Sequence, residues 1–381
     1  MNRQLRRIVV MIPQGYGNSA KTMRGIIRFA RPGRPWTFLL KDFVSDLDRV
    51  REWEPDGAIA YPLSDEQMGQ LQSLGCPVVC VSDRFRRPGI GAVAADSVEA
   101  GRLAARHLLD RGFREFGFVG EPDVSVCERR RAGFEEALGK LGFTTDHYYI
   151  NLSSARRDET LTARDRKAIE WLTGLPRPVG ILAWRDLACM AITEACLRAG
   201  MRVPQDIAIV GVDNDEAFCE MGYPTISSVA MPFENVGYLA AEMLEQMMDG
   251  EAAPSEPLLL PPRQVVARQS TDVLAVDDPL VTRTIDYIRA HAGQGISVSS
   301  LLKIAGVSRR SLENRFKSAI GRTPLEEIHR ARVELAKQYL NRDDMPLQDV
   351  ARACGFASAK RLTAIFHKFV GISPADYRKG A

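Results

Sequence analysis

The stretch RRSLENRFKSAI (309–320) spaces Leu312, Phe316 and Ile320 four residues apart and sets Arg309, Arg310, Glu313, Asn314 and Lys317 among them. On a helix the three apolar residues line one face and leave the polar five on the other. The chemistry open to those five is recognition of nucleic acid. Arg offers a fork of donors to guanine O6 and N7, Asn bridges adenine N6 and N7, Glu accepts from cytosine N4, and Lys meets a phosphate as a point charge.

The pattern is written twice. Leu312 and Leu362, Phe316 and Phe366, Gly321 and Gly371, and Pro324 and Pro374 are each 50 residues apart, while Gly306 and Gly355 are 49 apart, so one residue is inserted in the second turn. Each copy reads as an apolar helix, a Gly-containing turn and a second helix, which is helix-turn-helix geometry. Ser308 is placed to cap the second helix of the first copy, and Gly321 ends it with Pro324 just beyond. A further helix is expected from about Pro324 to Leu340, roughly 25 Å long. With its flanking turns it sets the two reading helices about one DNA turn apart, ~34 Å.

Charge separates this region from the rest. Residues 280–381 carry 18 Lys and Arg against 9 Asp and Glu, a net of +9; the chain totals 51 against 48, which leaves residues 1–279 with 33 against 39, a net of −6. A basic domain of this size can approach phosphates, releasing condensed counterions at each contact. A solvated helical bundle would share the charge but not the doubled motif.

The segments IAGVSRRSL, GRTP, RARVELAKQYL, VARACGF, IFHK and GISPADYR, over residues 281–379, resemble the DNA-binding domain of AraC/XylS-type transcription regulators. The resemblance implies two helix-turn-helix units joined by a long helix, base reading by Arg310, Glu313 and Asn314, and phosphate contact by Arg309. In the second unit the matching positions are Ala359, Lys360, Arg361 and Thr363. Where the family commonly has an Arg two residues before the Phe, this chain has Ala364. That departure leaves Lys360 and Arg361 as the second unit's candidate readers.

Upstream, residues 7–268 alternate short apolar runs (RIVVMI, TFLL, GAIAY, VVCV, FGFVG, GILAW, IAIVGV) with amphipathic stretches. Such alternation predicts parallel sheets covered by helices, and seven or more strands over this length fit two sheets better than one. SVEAGRLAARHLLDRGF reads as a helix leading from one lobe to the other, PFENVGYLAAEMLEQMMDG as a late helix of the first lobe, and LLLPPRQVVARQST as the return to the second. Several crossings between lobes build a hinged cleft, with ligands beyond the carboxyl ends of the strands. Sugars ask there for Asp, Asn or Arg against vicinal hydroxyls and an aromatic face against the ring. Asp213, Arg185, Trp184 and Asp83 follow strands, and Tyr16 and Asn18 follow the first one. Asp186 reads either as a cleft residue or as a helix N-cap.

RGIIRFAR, DGAIAYP, VAADSVEAGRLAARHLL, RRRAGFEEAL, ILAWRDLACMAI, RVPQDIAIVGVDND and VVARQST resemble the type I periplasmic-binding-protein fold that LacI/GalR-type repressors use as a sensor, over residues 7–272. The resemblance implies ligand binding by Arg130, by Asp213 of GVDND and by Arg185. A LacI-like sensor before an AraC-type tail is the order of the family of xylose-operon activators, to which this sequence is similar. The expected fold is therefore an α/β two-lobed type I periplasmic-binding-protein-like sensor (1–272), a linker (273–280) and an all-α domain with two helix-turn-helix units (281–381).

Other chemistries fare less well. GYGNSA (15–20) has a dinucleotide-like form and Asp42 lies downstream, but Pro13 and Gln14 separate the first glycine from the strand, and no hydride-transfer His or Lys follows at a strand end. A doubly wound nucleotide-dependent enzyme with an appended DNA-binding domain remains the alternative at this stage. SLLK (300–303) lies in a helix of the reader with no partner motif, the five histidines form no i,i+4 pair, and no metal or cofactor is expected. The seven cysteines form no CxxC pair and suit a reducing compartment. MNRQLRRIVVMIPQG has a basic start, but Pro13 ends its five-residue apolar run, which argues against a signal peptide. No apolar run approaches the ~20 residues of a membrane helix. The expectation is a cytoplasmic homodimer and activator, without enzymatic activity, whose partners are double-stranded DNA, a small sugar such as D-xylose, and RNA polymerase.

Overall fold

The computed structural model describes residues 5–13, 17–31, 33–42, 47–82, 84, 86–150, 161–275, 278–342, 345–370 and 372–379. They divide into two compact units, one of residues up to His107 with Glu115–Asp272, the other of Leu108–Arg114 with residues from Val273 onward.

The first unit holds two lobes. The chain begins with β1 (Arg6–Met11), α1 (Gly17–Ala30), β2 (Trp36–Lys41), α2 (Leu47–Glu52), β3 (Gly57–Ala60), α3 (Asp65–Gln72), β4 (Val78–Cys80) and β5 (Ile90–Ala95). Helix α4 (Ser97–Asp110) leads to β6 (Glu115–Gly120), α5 (Ser125–Gly139), β7 (Asp146–Tyr149), α6 (Leu161–Gly174), β8 (Val179–Ala183), α7 (Asp186–Arg198), β9 (Ile207–Val212), α8 (Glu216–Met221) and β10 (Ser227–Ala230). Helix α9 (Phe233–Met248) then returns to the first lobe, which gains β11 (Leu258–Leu260), and the second gains β12 (Gln264–Val266). The sheets run β11-β5-β4-β3-β1-β2 and β12-β10-β9-β8-β6-β7. Pairing is parallel except for β12 against β10.

Runs such as GAIA, VGILA and IAIVGV are buried along their whole length, as parallel strands covered on both faces must be. Along β1 successive side chains serve opposite cores: Ile8 and Val10 pack with Val236, Ala240 and Leu244 of α9, and Val9 and Met11 with Val50, Met68 and Leu71. Each such aliphatic contributes roughly 1.5–3 kcal/mol on burial. The expected helix roles hold: α4 connects the lobes and α9 packs on the first. Helices α4 and α5 cross backbone to backbone at two glycines. A Cβ on Gly101 would lie 2.0 Å from the Arg130 carbonyl oxygen, and one on Gly133 1.9 Å from that of Val98. This contact fixes the height of Arg130 above the sheet.

The second unit comprises α10 (Pro279–His291), α11 (Val298–Ala305), α12 (Arg309–Ile320), α13 (Pro324–Arg342), α14 (Leu347–Ala353), α15 (Ala359–Val370) and α16 (Pro374–Lys379). One core gathers Ile285, Leu301, Leu312, Phe316 and Ile328; the other gathers Val333, Val350, Leu362, Phe366 and Tyr377. Helix α13 contributes to both and reaches Arg342, two residues past expectation. Gly306 and Gly321 end α11 and α12 in left-handed backbone, at φ 66° and 73°, where glycine carries no Cβ penalty. No helix of the described residues is long and apolar enough to cross a membrane, and no group of acidic, His and Cys residues among them could hold a metal.

Candidate functional site

Strands β6, β8 and β9 are neighbours, so the residues after their carboxyl ends converge. Asp213 follows β9 with φ 108° and Asn214 has φ 48°. Both lie in backbone space that costs non-glycine residues of order 1–3 kcal/mol and persists only where surroundings enforce it. The enforcement is visible. The Asp213 amide donates to the Val229 carbonyl at 3.0 Å, the Asn214 amide to Ser228 Oγ at 2.9 Å, and the Asp215 amide to Asp186 Oδ2 at 2.8 Å. Ser228 Oγ in turn donates to Asp186 Oδ1 at 2.5 Å.

Asp186 is thus neither a cap of its own helix nor a cleft residue. Arg185 occupies the N-cap position of α7, and the buried Asp186 carboxyl pins the strained 213–215 loop. Burial pushes that carboxyl up to about 7; the charge of Asp213 adds to the rise, and the donors from Ser228, Asp215 and Cys219 oppose it.

Arg130, on α5, is only 4% exposed. Its Nη2 donates to Asp213 Oδ1 at 2.7 Å, and its Nη1 donates to the Trp184 carbonyl. The Arg185 guanidinium lies over the Trp184 ring at 4.7 Å and 4.0 Å from the buried Glu121 carboxylate. Arg130, Trp184, Arg185 and Asp213, singled out by sequence, therefore form one cluster. Tyr61, directly after β3 in the other lobe, belongs with them electrostatically. Burial raises the pKa of its hydroxyl, with Arg130 opposing the rise and Asp213 adding to it.

The lobes touch beside this cluster. The Gly17 amide at the start of α1 donates to Asp215 Oδ2 at 3.1 Å, and Lys21 Nζ donates to the Asn214 carbonyl at 2.5 Å. Asn18, on the same turn of α1, is half-buried; its Oδ1 accepts the Ser19 amide at 2.8 Å. The Gly17 contact also weighs against a nucleotide at GYGNSA. The amide that would cradle a phosphate faces the protein's own carboxylate, and a Cβ on Gly17 would lie 2.4 Å from it. Tyr16 and Asp83 lie outside the described residues.

In the second unit, Leu312, Phe316 and Ile320 are buried, while Arg309, Arg310, Asn314 and Lys317 are exposed and Glu313 is half-exposed. Ser308 caps α12 by accepting the Ser311 amide at 3.3 Å, worth about 1 kcal/mol. Arg309 Nε donates to Glu313 at 2.9 Å, so this acid and base are paired before any nucleic acid arrives. On α15, Lys360 and Arg361 are exposed. Thr363 is different: its hydroxyl donates to the Ala359 carbonyl at 2.9 Å.

Sequence reasoning overlooked Tyr61, Glu121 and Asp215. Tyr61 and Glu121 follow GAIA and FGFVG as Asp213 follows IAIVGV, so the strand-end rule could have found them. Asp215 is marked locally only as the cap of α8, whose Ala217 amide it accepts; its other partner, the Gly17 amide, is 198 residues away.

A periplasmic binding protein-like domain profile matches residues 105–271 and a helix-turn-helix domain profile matches residues 301–380. The xylose operon regulatory protein of Escherichia coli K12 is 31% identical over 349 residues, covering 90% of this chain and 88% of that protein. Its namesake from Haemophilus influenzae is 27% identical over 389 residues, covering 99% of both chains. The solved structure of a xylose-binding transcription activator, xylR, superposes with a TM-score of 0.65 at 27% identity, covering 100% of this chain and 99% of that one.

Proposed function

The chain belongs to the family of the xylose operon regulatory proteins, transcription regulators rather than enzymes, and on that premise we propose that a small sugar, D-xylose or a close relative, binds between its two lobes. The proposed ligand residues are Asn18, Arg130, Trp184, Arg185 and Asp213, together with Tyr16 and Asp83. Asp213 would accept a pair of sugar hydroxyls, the Trp184 ring would cover an apolar face, and the arginines would donate to ring or hydroxyl oxygens. Residues 1–272 act as sensor, 273–280 as linker and 281–381 as reader.

The reader contacts DNA through Arg309, Arg310, Glu313, Asn314 and Lys317 of the first unit and Lys360, Arg361 and Thr363 of the second. Thr363 serves through its methyl group, since its hydroxyl is engaged within the helix. The protein works as a cytoplasmic homodimer, activating pentose catabolism genes by way of RNA polymerase. Sugar binding favours the closed form of the lobes and alters how the dimer presents its basic tails.

The observation that carries this reading is the Arg130–Asp213 pair, set with Trp184 and Arg185 at adjoining strand ends, in a chain that also bears the doubled reading helices. A thermal-shift screen of common monosaccharides against the full chain tests it, because a ligand for the folded state raises the midpoint. A pentose is expected to raise it. No shift with any sugar, together with turnover of a nucleotide, would favour the enzyme reading.

A further inference from the structure

We propose that the effector is an acidic small sugar, an aldonate or uronate, whose carboxylate is received by Arg185 and Trp184 at the amino ends of α5 and α7. This rests on the reading that a small sugar occupies the cleft, and adds the charge that sugar carries.

The first ground is an excess of buried donors. Arg130 Nε, Arg185 Nε, Trp184 Nε1 and Ser125 Oγ are buried atoms without a hydrogen-bond partner among the described residues. Arg130 and Trp184 are 4% and 8% exposed, so bulk water does not serve them. The first three atoms can only donate. A neutral sugar supplies oxygens, but each hydroxyl brings an O–H that must also be accepted, and Asp213, whose Oδ1 is shared with Arg130, is already assigned to the hydroxyls at the other end of the ligand. A carboxylate accepts only, and it adds charge to the bonds it makes.

The second ground is the helix ends. Neither Val124, at the N-cap of α5, nor Arg185, at the N-cap of α7, makes a side-chain cap, and the acids of the two first turns are engaged elsewhere, Glu128 with Arg131 and Asp186 with Ser228 and the Asp215 amide. The contrast lies alongside. Asp215 accepts the Ala217 amide at the start of α8 and the Gly17 amide at the start of α1.

The third ground is the weak pairing of Arg185. Its guanidinium is 4.0 Å from Glu121, the outer limit of an ion pair, while Arg130 and Asp213 are 2.7 Å apart. Arg185 is therefore the cation of the cluster with most to gain from an anion. In this arrangement Asp213 takes hydroxyls at one end of the ligand, and Arg185 and Trp184 take the carboxylate at the other.

Calorimetric titration of the full chain with matched pairs tests the proposal: D-xylose against D-xylonate, D-glucose against D-glucuronate, and D-galactose against D-galacturonate, at neutral pH. In at least one pair the acid is expected to bind about tenfold tighter or better. Arg185→Gln should cost the acid about tenfold more affinity than it costs the neutral partner, so that most of the advantage is lost. Neutral sugars binding as tightly as their acids in every pair would overturn the proposal and leave the sugar-cleft reading standing. Binding by no member of any pair would overturn both. The wild-type comparison stands even where the variant is poorly folded.

Discussion

Arg130 Nη2 lies 2.7 Å from Asp213 Oδ1, so the helix after one strand and the loop after another are joined by a charged contact at the proposed ligand site. Asp213 is bound to the cleft's own arginine, while the loop that carries it is held down independently, by Asp186 and Ser228. Removing the charge at 213 therefore acts on the cleft and spares the loop's anchors.

Asp213→Asn is expected to weaken sugar binding by about tenfold or more, about 1.4 kcal/mol. It loses one acceptor and leaves the buried Arg130 without its counter-charge, a change of the kind that costs several kcal/mol in a buried pair. Sugar-free DNA binding should stay near wild type. Calorimetry with the sugar found by thermal shift checks this; undiminished affinity would move the ligand role to Arg130 and Arg185 alone.

The Asp186 carboxyl, raised to about 7, gives a pH prediction. The folded protein holds this proton more tightly than the unfolded chain, whose carboxyls titrate near ~3.9. The stability due to this group is therefore complete below about pH 4 and is lost as pH rises toward about 7. The loss is at most about 4 kcal/mol. Asp186→Asn cannot ionise, so its melting midpoint should gain on that of wild type between pH 5 and 8. A difference that stays constant with pH contradicts the assignment.

Much of this was legible in sequence, and the misses have physical causes. The doubled apolar spacing of α12 and α15 is a local signal, and both helices lie where Leu312, Phe316, Leu362 and Phe366 required. Strands β5, β7, β10, β11 and β12 were not foreseen. β11 and β12 are three residues long, and β7 is largely exposed, so neither length nor apolar continuity marks those three; β5, IGAVAA, is long and apolar enough to have been read as a strand. Tyr61 was read as part of its strand, which hid its place at the strand's end. Asp186 was weighed as a cap because a helix starts there. Its true partners, Ser228 and the Asp215 amide, are 42 and 29 residues away.

On α12, Asn314→Ala or Arg310→Ala should cost ~1–3 kcal/mol on the preferred site and relax choice at particular base pairs. Lys317→Ala should weaken all sequences alike. Binding-site selection with each variant separates the two classes, and identical preferences for wild type and both base-reading variants would remove the assignment.

DNA affinity should fall steeply with salt. With about six phosphates contacted by the basic face, the slope of log affinity against log salt is expected near −5. Titrations across a range of ionic strength read it directly, and a flat response would exclude the phosphate contacts assigned to this face.

The central claim is that occupancy of the cleft changes what the reader does, and the most direct measurement is fluorescence anisotropy of a selected DNA site titrated with the full chain, with and without saturating effector. We expect the effector to shift the affinity of the wild-type protein about fivefold or more, the range of ordinary coupling energies, and to leave Asp213→Asn unmoved at the same concentration. An effector that binds the wild-type cleft yet leaves its DNA affinity, and that of the variant, unchanged would contradict the account.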